Sequence, residues 1–186
     1  MITTKSFLHL ALLLGILFPQ PSQLQKTPTG SDCQSIQKHI QKEHDRFKDT
    51  TTVRLDDMVL SEKLLSDEKL TLRVEVTYEG EKAVKPKNVK LIFNSQALRL
   101  RLYQGKEAIF LADGERIRST SAVNGLADMY STSIRFERKD VVVRYEEFVK
   151  IANAQTVEMQ LGAVETKFDK KVLEAIHDFI ACTFES

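Results

Sequence analysis

The chain has 186 residues, 42% of them hydrophobic and 28% charged, a composition that fits a folded globular protein and excludes a disordered or wholly membranous one. Its formal charge is +1, and removal of an N-terminal leader containing Lys5 leaves 26 basic residues against 26 acidic ones. A neutral domain lacks the long-range field that draws proteins onto phosphate backbones, so nucleic acid is not expected as a partner.

Lys5 precedes an apolar run at 7–18 (FLHLALLLGILF), broken only by His9, and Pro19, Gln20, Pro21 and Ser22 end it. Such a run is shorter than the ~20 residues a helix needs to cross a bilayer, but it matches the apolar core of a secretory signal. No A-x-A pattern marks a cleavage point, and Ser22 is the best small residue there. Residues 1–22 are therefore read as a signal peptide, lost on export to the periplasm or the extracellular space, with no integral membrane span left behind. An uncleaved N-terminal anchor is the alternative. Residues 23–31, polar with Pro28 and Gly30, read as a flexible linker, and 32–186 as one globular α+β domain.

A first helix is expected from Ser31 or Asp32 to about Phe47, with Ile36, Ile40 and Phe47 on one thin apolar stripe beside Cys33. The β-branched stretch 50–53 (TTTV) opens the sheet. The clearest strand is 70–78, where Leu70, Leu72, Val74, Val76 and Tyr78 alternate with Thr71, Arg73, Glu75 and Thr77. Period-two alternation means one buried face and one wet face, as in an antiparallel sheet. Gly80 ends that strand.

Alternation continues at Val89, Leu91 and Phe93, and again at Leu98, Leu100 and Leu102 against Arg99 and Arg101. The segment 108–112 (AIFLA) is wholly apolar and reads as covered on both faces. Asp113-Gly114 is a two-residue hairpin signal, returning through 115–118. Ile134 and Phe136 mark one further strand and Val141, Val143 and Tyr145 another, with a turn near 138–140.

A short helix is expected over 146–153, placing Phe148, Ile151 and Ala152 inward. Val157, Met159 and Leu161 lead to a tight turn at Gly162-Ala163, and Val164, Thr166 and Phe168 return. Asp169 caps a last helix to about Cys182, with Val172, Leu173, Ile176, Phe179 and Ile180 facing the core. About eight strands without βαβ alternation predict a curved antiparallel sheet or partial barrel, with an N-terminal helix, the 146–153 helix and a C-terminal helix packed on it.

Cys33 and Cys182 are the only two cysteines. In an oxidising compartment, two cysteines and no third point to a single bridge closing nearly the whole domain. Two unrelated thiols are the alternative.

No residue group calls for a catalytic, cofactor-binding or metal-binding role, and no cofactor is expected. His39 and His44 are five apart, about 140° around a helix, whereas helical zinc pairs are four apart. His39 and Glu43 do have that spacing, without a third ligand in view. His177 reads as a surface residue beside Asp178. Asp56-Asp57 has no calcium-loop series around it and reads as a pair of loop or capping acids. There is no G-x-S-x-G, no activated-thiol setting and no glycine-rich phosphate loop.

Two basic features remain. Lys82, Lys85, Lys87 and Lys90 cluster around Pro86, and Arg99 and Arg101 project from the wet side of their segment. An anion or an acidic partner could dock there; solvated loops and edge protection account for the same residues. The expected function is that of an exported, non-catalytic binding or interaction module acting on a protein or envelope component through its sheet or loops. A carrier of an apolar, lipid-like small molecule inside the curved sheet is the second reading, and a hydrolase using scattered carboxylates the third.

Overall fold

The structure is a computed structural model and describes residues 30–63, 68–102, 106–129 and 134–184. The leader and most of the linker lie outside the described residues. In chain order the elements are α1 (Gly30–Gln37), β1 (Ile40–Asp45), β2 (Thr50–Lys63), β3 (Glu68–Glu79), β4 (Asn88–Ala97), β5 (Ala108–Ala112), β6 (Glu115–Arg118), β7 (Ser121–Met129), β8 (Arg135–Arg144), α2 (Tyr145–Asn153), β9 (Val157–Leu161), β10 (Val164–Lys167) and α3 (Lys170–Phe184). The strands form two antiparallel sheets, ordered β1-β2-β3-β4-β8-β7 and β10-β9-β5-β6. Mixed α/β structure on antiparallel sheets with a C-terminal helix is what the sequence patterning predicts. The described residues nevertheless form ten strands in two open sheets, rather than about eight in one curved sheet or partial barrel.

The alternation in β3 does what its period requires. Leu70, Leu72, Val74, Val76 and Tyr78 are all buried, while Thr71, Arg73 and Glu75 stand on the opposite, wetter face. Its neighbour β4 repeats the pattern through Val89, Leu91 and Phe93. In the smaller sheet, Phe110 of β5 and Met159 of β9 face each other in register and are both buried. Asp113 and Gly114 both take positive φ, 48° and 85°, the geometry that lets a two-residue turn match the strand twist between β5 and β6.

Both sheets, α2 and α3 contribute to one buried apolar cluster. Asp169 caps α3 as expected, its Oδ1 accepting the Val172 N–H at 2.8 Å. Val172, Leu173, Ile176, Phe179 and Ile180 form the helix's buried stripe. At the end of α3 the ring of Phe184 meets Tyr78, Tyr145 and Phe179 edge-on, with centroids 5.8–6.4 Å apart. Two residues earlier, the Cys182 and Cys33 sulfurs lie at bonding distance, 2.02 Å, with no free cysteine left. The pair ties α1 to α3 across a separation of 149 residues. Among the described residues no helix is long and apolar enough to cross a membrane.

Several local expectations are corrected. The first helix stops at Gln37, and 40–45 is an edge strand instead, paired with β2 from Ile40↔Leu55 to Asp45↔Thr50. Strand pairing with the β-branched 50–53 stretch outweighs the weak helical stripe, and Phe47 lies on the turn beyond it. The 98–102 segment is no strand: Leu98 and Leu100 are exposed and Leu102 alone is buried. The backbone N–H groups of Arg101 and Leu102 are taken by a side chain, described below, and so are not free for a ladder.

AIFLA is covered on one face only, since Leu111 is 39% exposed while Ala108, Phe110 and Ala112 are buried. The expected turn at 138–140 is the middle of the single long strand β8, and Tyr145 opens α2 instead of ending a strand. Strand β7 has no counterpart in the sequence reading.

Candidate functional site

The outer face of the six-stranded sheet carries alternating charges in a row across its strands. Arg54 on β2 reaches Glu43 on β1 at 3.1 Å and Glu75 on β3 at 2.7 Å, and Glu75 also meets Lys90 on β4. Burial opposes the Glu75 charge, but hydrogen bonds from Lys90 and Arg54 outweigh it and hold the carboxyl below its ordinary value. These charges are spent on one another.

Further along the same face, β2, β3, β4 and β8 enclose a groove of about 380 Å³ lined by Asp57, Lys69, Thr71, Asn94, Gln96, Phe136 and Arg138. Register brings them together: Thr71 faces Asn94, and Gln96 faces Phe136. Asp57 is engaged by Arg73 at 2.7 Å and by the Asn94 amide at 3.5 Å. Arg138 is held by Asp140 through two hydrogen bonds of 2.7 and 3.0 Å, which raise its pKa. Asp57 and Arg138 are therefore paired, and Lys69 is the remaining cation of the lining. What the groove offers is an exposed aromatic ring flanked by amide, hydroxyl and carboxylate groups, both donors and acceptors.

A β-bulge explains how Asp57 gets there. The pairing Leu55↔Val74 is followed by Met58↔Leu72, so β2 holds one residue more than β3 at this point. The extra residue lets Asp56 and Asp57 serve different neighbours. Asp56 accepts from Gln41 at 3.0 Å and lies 3.6 Å from His39, towards β1, whereas Asp57 turns to β3 and β4. They are strand residues, a correction to the loop reading.

The basic residues singled out in the sequence do not converge. Lys82, Lys85 and Lys87 lie exposed on the turn that precedes β4, while Arg99 and Arg101 follow β4, roughly a strand length of about 30 Å away. Lys90 is bound to Glu75, and Arg101 to Glu68 at 3.3 Å. With β1 a strand, His39 and Glu43 no longer share one helical turn. His177 lies 3.3 Å from Asp178, next to it in sequence.

Two charged residues that sequence reasoning missed are buried on the inner face of β8. Glu137 is 5% exposed and Lys139 2%. The Glu137 carboxylate accepts the Arg101 N–H at 2.5 Å and the Leu102 N–H at 3.2 Å, and the Arg101 carbonyl in turn accepts the Ala163 N–H at 2.9 Å. A carboxylate on one sheet thus fixes a loop that is bonded to the β9–β10 turn of the other. Burial lowers the Lys139 pKa, with Glu137 opposing the shift. Their signal in the sequence is the continuous i, i+2 spacing Glu137, Lys139, Val141, Val143, which puts both charges on the side of the buried valines.

No protein-family model, no curated protein and no solved structure matches the chain.

Proposed function

We propose that the chain is an exported binding module that holds a neutral, hydroxyl-rich ligand, such as a glycan segment of the cell envelope, on the outer face of its six-stranded sheet. The observation that carries this reading is the groove around Phe136. One ring 39% exposed stands beside Asn94, Gln96 and Thr71, while the nearby Asp57 and Arg138 already have counter-charges. A sugar can lay its C–H face on the ring and exchange hydroxyl hydrogen bonds with the amides. A phosphate or carboxylate would find Arg138 already paired with Asp140.

Export is supported by the leader composition and by the Cys33–Cys182 pair, since disulfides persist in oxidising compartments. The four fully buried phenylalanines Phe93, Phe110, Phe148 and Phe179 take up the interior in which an apolar ligand would have to sit, and this favours the outer face.

The test is a titration with soluble chito-oligosaccharides and peptidoglycan-derived saccharides, followed by backbone amide shifts. Shifts centred on Thr71, Asn94, Gln96 and Phe136 are expected, with Phe136→Ala weakening binding roughly tenfold. Unchanged spectra at high ligand concentration, or tighter binding of an anionic polymer than of neutral saccharide, would overturn the reading.

A further inference from the structure

Phe47 is the most exposed of the described large apolar side chains, at 99%, and it stands on the tip of the β1–β2 turn. The turn that holds it is firmly built. Asp45 Oδ1 accepts the N–H groups of Phe47 at 2.9 Å and Lys48 at 3.3 Å, and Asp49 takes a positive φ of 49°. The Asp49 carbonyl then accepts the Gly80 N–H at 2.8 Å, which joins this turn to the one between β3 and β4. Lys42 Nζ reinforces the junction by donating to the Glu81 carbonyl at 3.1 Å.

Thr51 and His44 lock it from beneath. The Thr51 hydroxyl donates to the Gly80 carbonyl at 2.5 Å, so its oxygen is left to accept from His44 Nδ1 at 3.0 Å. The second turn presents another exposed apolar residue, Val84, at 49%. An ordered backbone that holds a phenylalanine wholly in water is an arrangement the fold itself does not need.

The surroundings supply the charge. The two turns, 45–49 and 80–87, carry Arg46, Lys48, Lys82, Lys85 and Lys87 against three acids. Of those acids, Asp45 holds its own turn and Lys48, while Asp49 and Glu81 lie exposed 3.9 and 3.7 Å from His44, so five cations against three acids leave the two turns net positive. Among the described residues no acid pairs with Lys82, Lys85 or Lys87, which are exposed.

We propose that this end of the sheet docks on an anionic lipid surface, with Phe47 and Val84 entering the interface and the basic side chains meeting the headgroups. Apolar tips ringed by flexible cations complement both layers of such a surface, apolar below and negative above. The glycan groove lies towards the other end of β3, roughly 30 Å from the turns at Thr71. A docked molecule would hold that groove away from the lipid, although the two sites stand or fall separately.

Co-sedimentation with vesicles tests this, using the protein as recovered after export. Phosphatidylcholine vesicles, with and without phosphatidylglycerol, are compared at low and high salt for the wild type, Phe47→Ser and the double variant Lys82→Glu/Lys85→Glu. Binding is expected only with phosphatidylglycerol present and is lost at high salt. Each variant reduces it roughly tenfold or more, with an unchanged melting curve. No binding to the anionic vesicles, or binding that Phe47→Ser leaves intact, would overturn the proposal. So would a dimer by light scattering that Phe47→Ser dissolves, because Phe47 would then be packed on a second copy.

Discussion

The Glu137 carboxylate holds the Leu102 backbone N–H between its two oxygens, each at 3.2 Å, across 35 positions of the chain. With Arg101 N–H on the same carboxylate, one side chain replaces the ladder that an alternating segment would otherwise seek. Truncation to alanine leaves two backbone donors without their acceptor and Lys139 without its nearby anion. Glu137→Ala is expected to cost roughly 3 kcal/mol, and Glu137→Gln, which keeps one carbonyl acceptor, roughly half of that. Urea denaturation of the two variants checks it, and equal losses would show that the oxygen retained in glutamine contributes nothing.

Lys139 shapes the alkaline side of the stability profile. Burial depresses its pKa below the ordinary lysine value of 10.5, so just below that pH the native state holds fewer protons than the unfolded chain. Native stability then gains with rising pH in that window as the penalty of the buried ammonium is relieved. Lys139→Met lacks this titration. The wild type should gain on the variant as pH rises towards 10.5, and parallel profiles would contradict a depressed Lys139.

Glu75 acts on the acid side with the opposite sign. Its folded pKa lies below 4.5, so its contribution is complete above that value and fades as pH falls through the folded one. Glu75→Gln should lower stability by roughly 1 kcal/mol at neutral pH and approach the wild type in acid, once the Glu75 carboxyl is protonated in both states. A constant difference across the range would remove the ionic network as the cause.

The cross-link between Cys33 and Cys182 spans 149 positions, so its loss releases a large loop into the unfolded ensemble. Chain-entropy arguments give a loss on the order of 5 kcal/mol as an upper figure for a loop of this size. The Cys33→Ser/Cys182→Ser pair is expected to melt far earlier than the oxidised protein. Reductant added to the wild type should lower its midpoint to that of the double variant.

Much of this architecture can be read from residues alone wherever one face of an element is apolar and the other polar. Strand β3, the Asp113-Gly114 hairpin, α2 and the Asp169-capped α3 all have that clarity. The errors fall where the burial pattern is weak or carries charge. The edge strand β1 is polar, so three scattered apolar residues imitated a helix. In β8, Glu137 and Lys139 occupy core-facing positions, and the charged stretch 138–140 read as a turn. The groove was invisible for a different reason. Asp57, Thr71, Asn94 and Phe136 are ordinary outward positions on four strands, and only the sheet order and the bulge in β2 make them neighbours.

The most direct measurement is the intact mass of the protein recovered outside the cytosol, taken with and without thiol alkylation. Loss of the leader near residue 22 and no alkylatable thiol before reduction are the predicted result, placing an oxidised fold in the compartment where its groove would meet a glycan. A chain recovered from the cytosol with Met1 in place and two reactive thiols would contradict it.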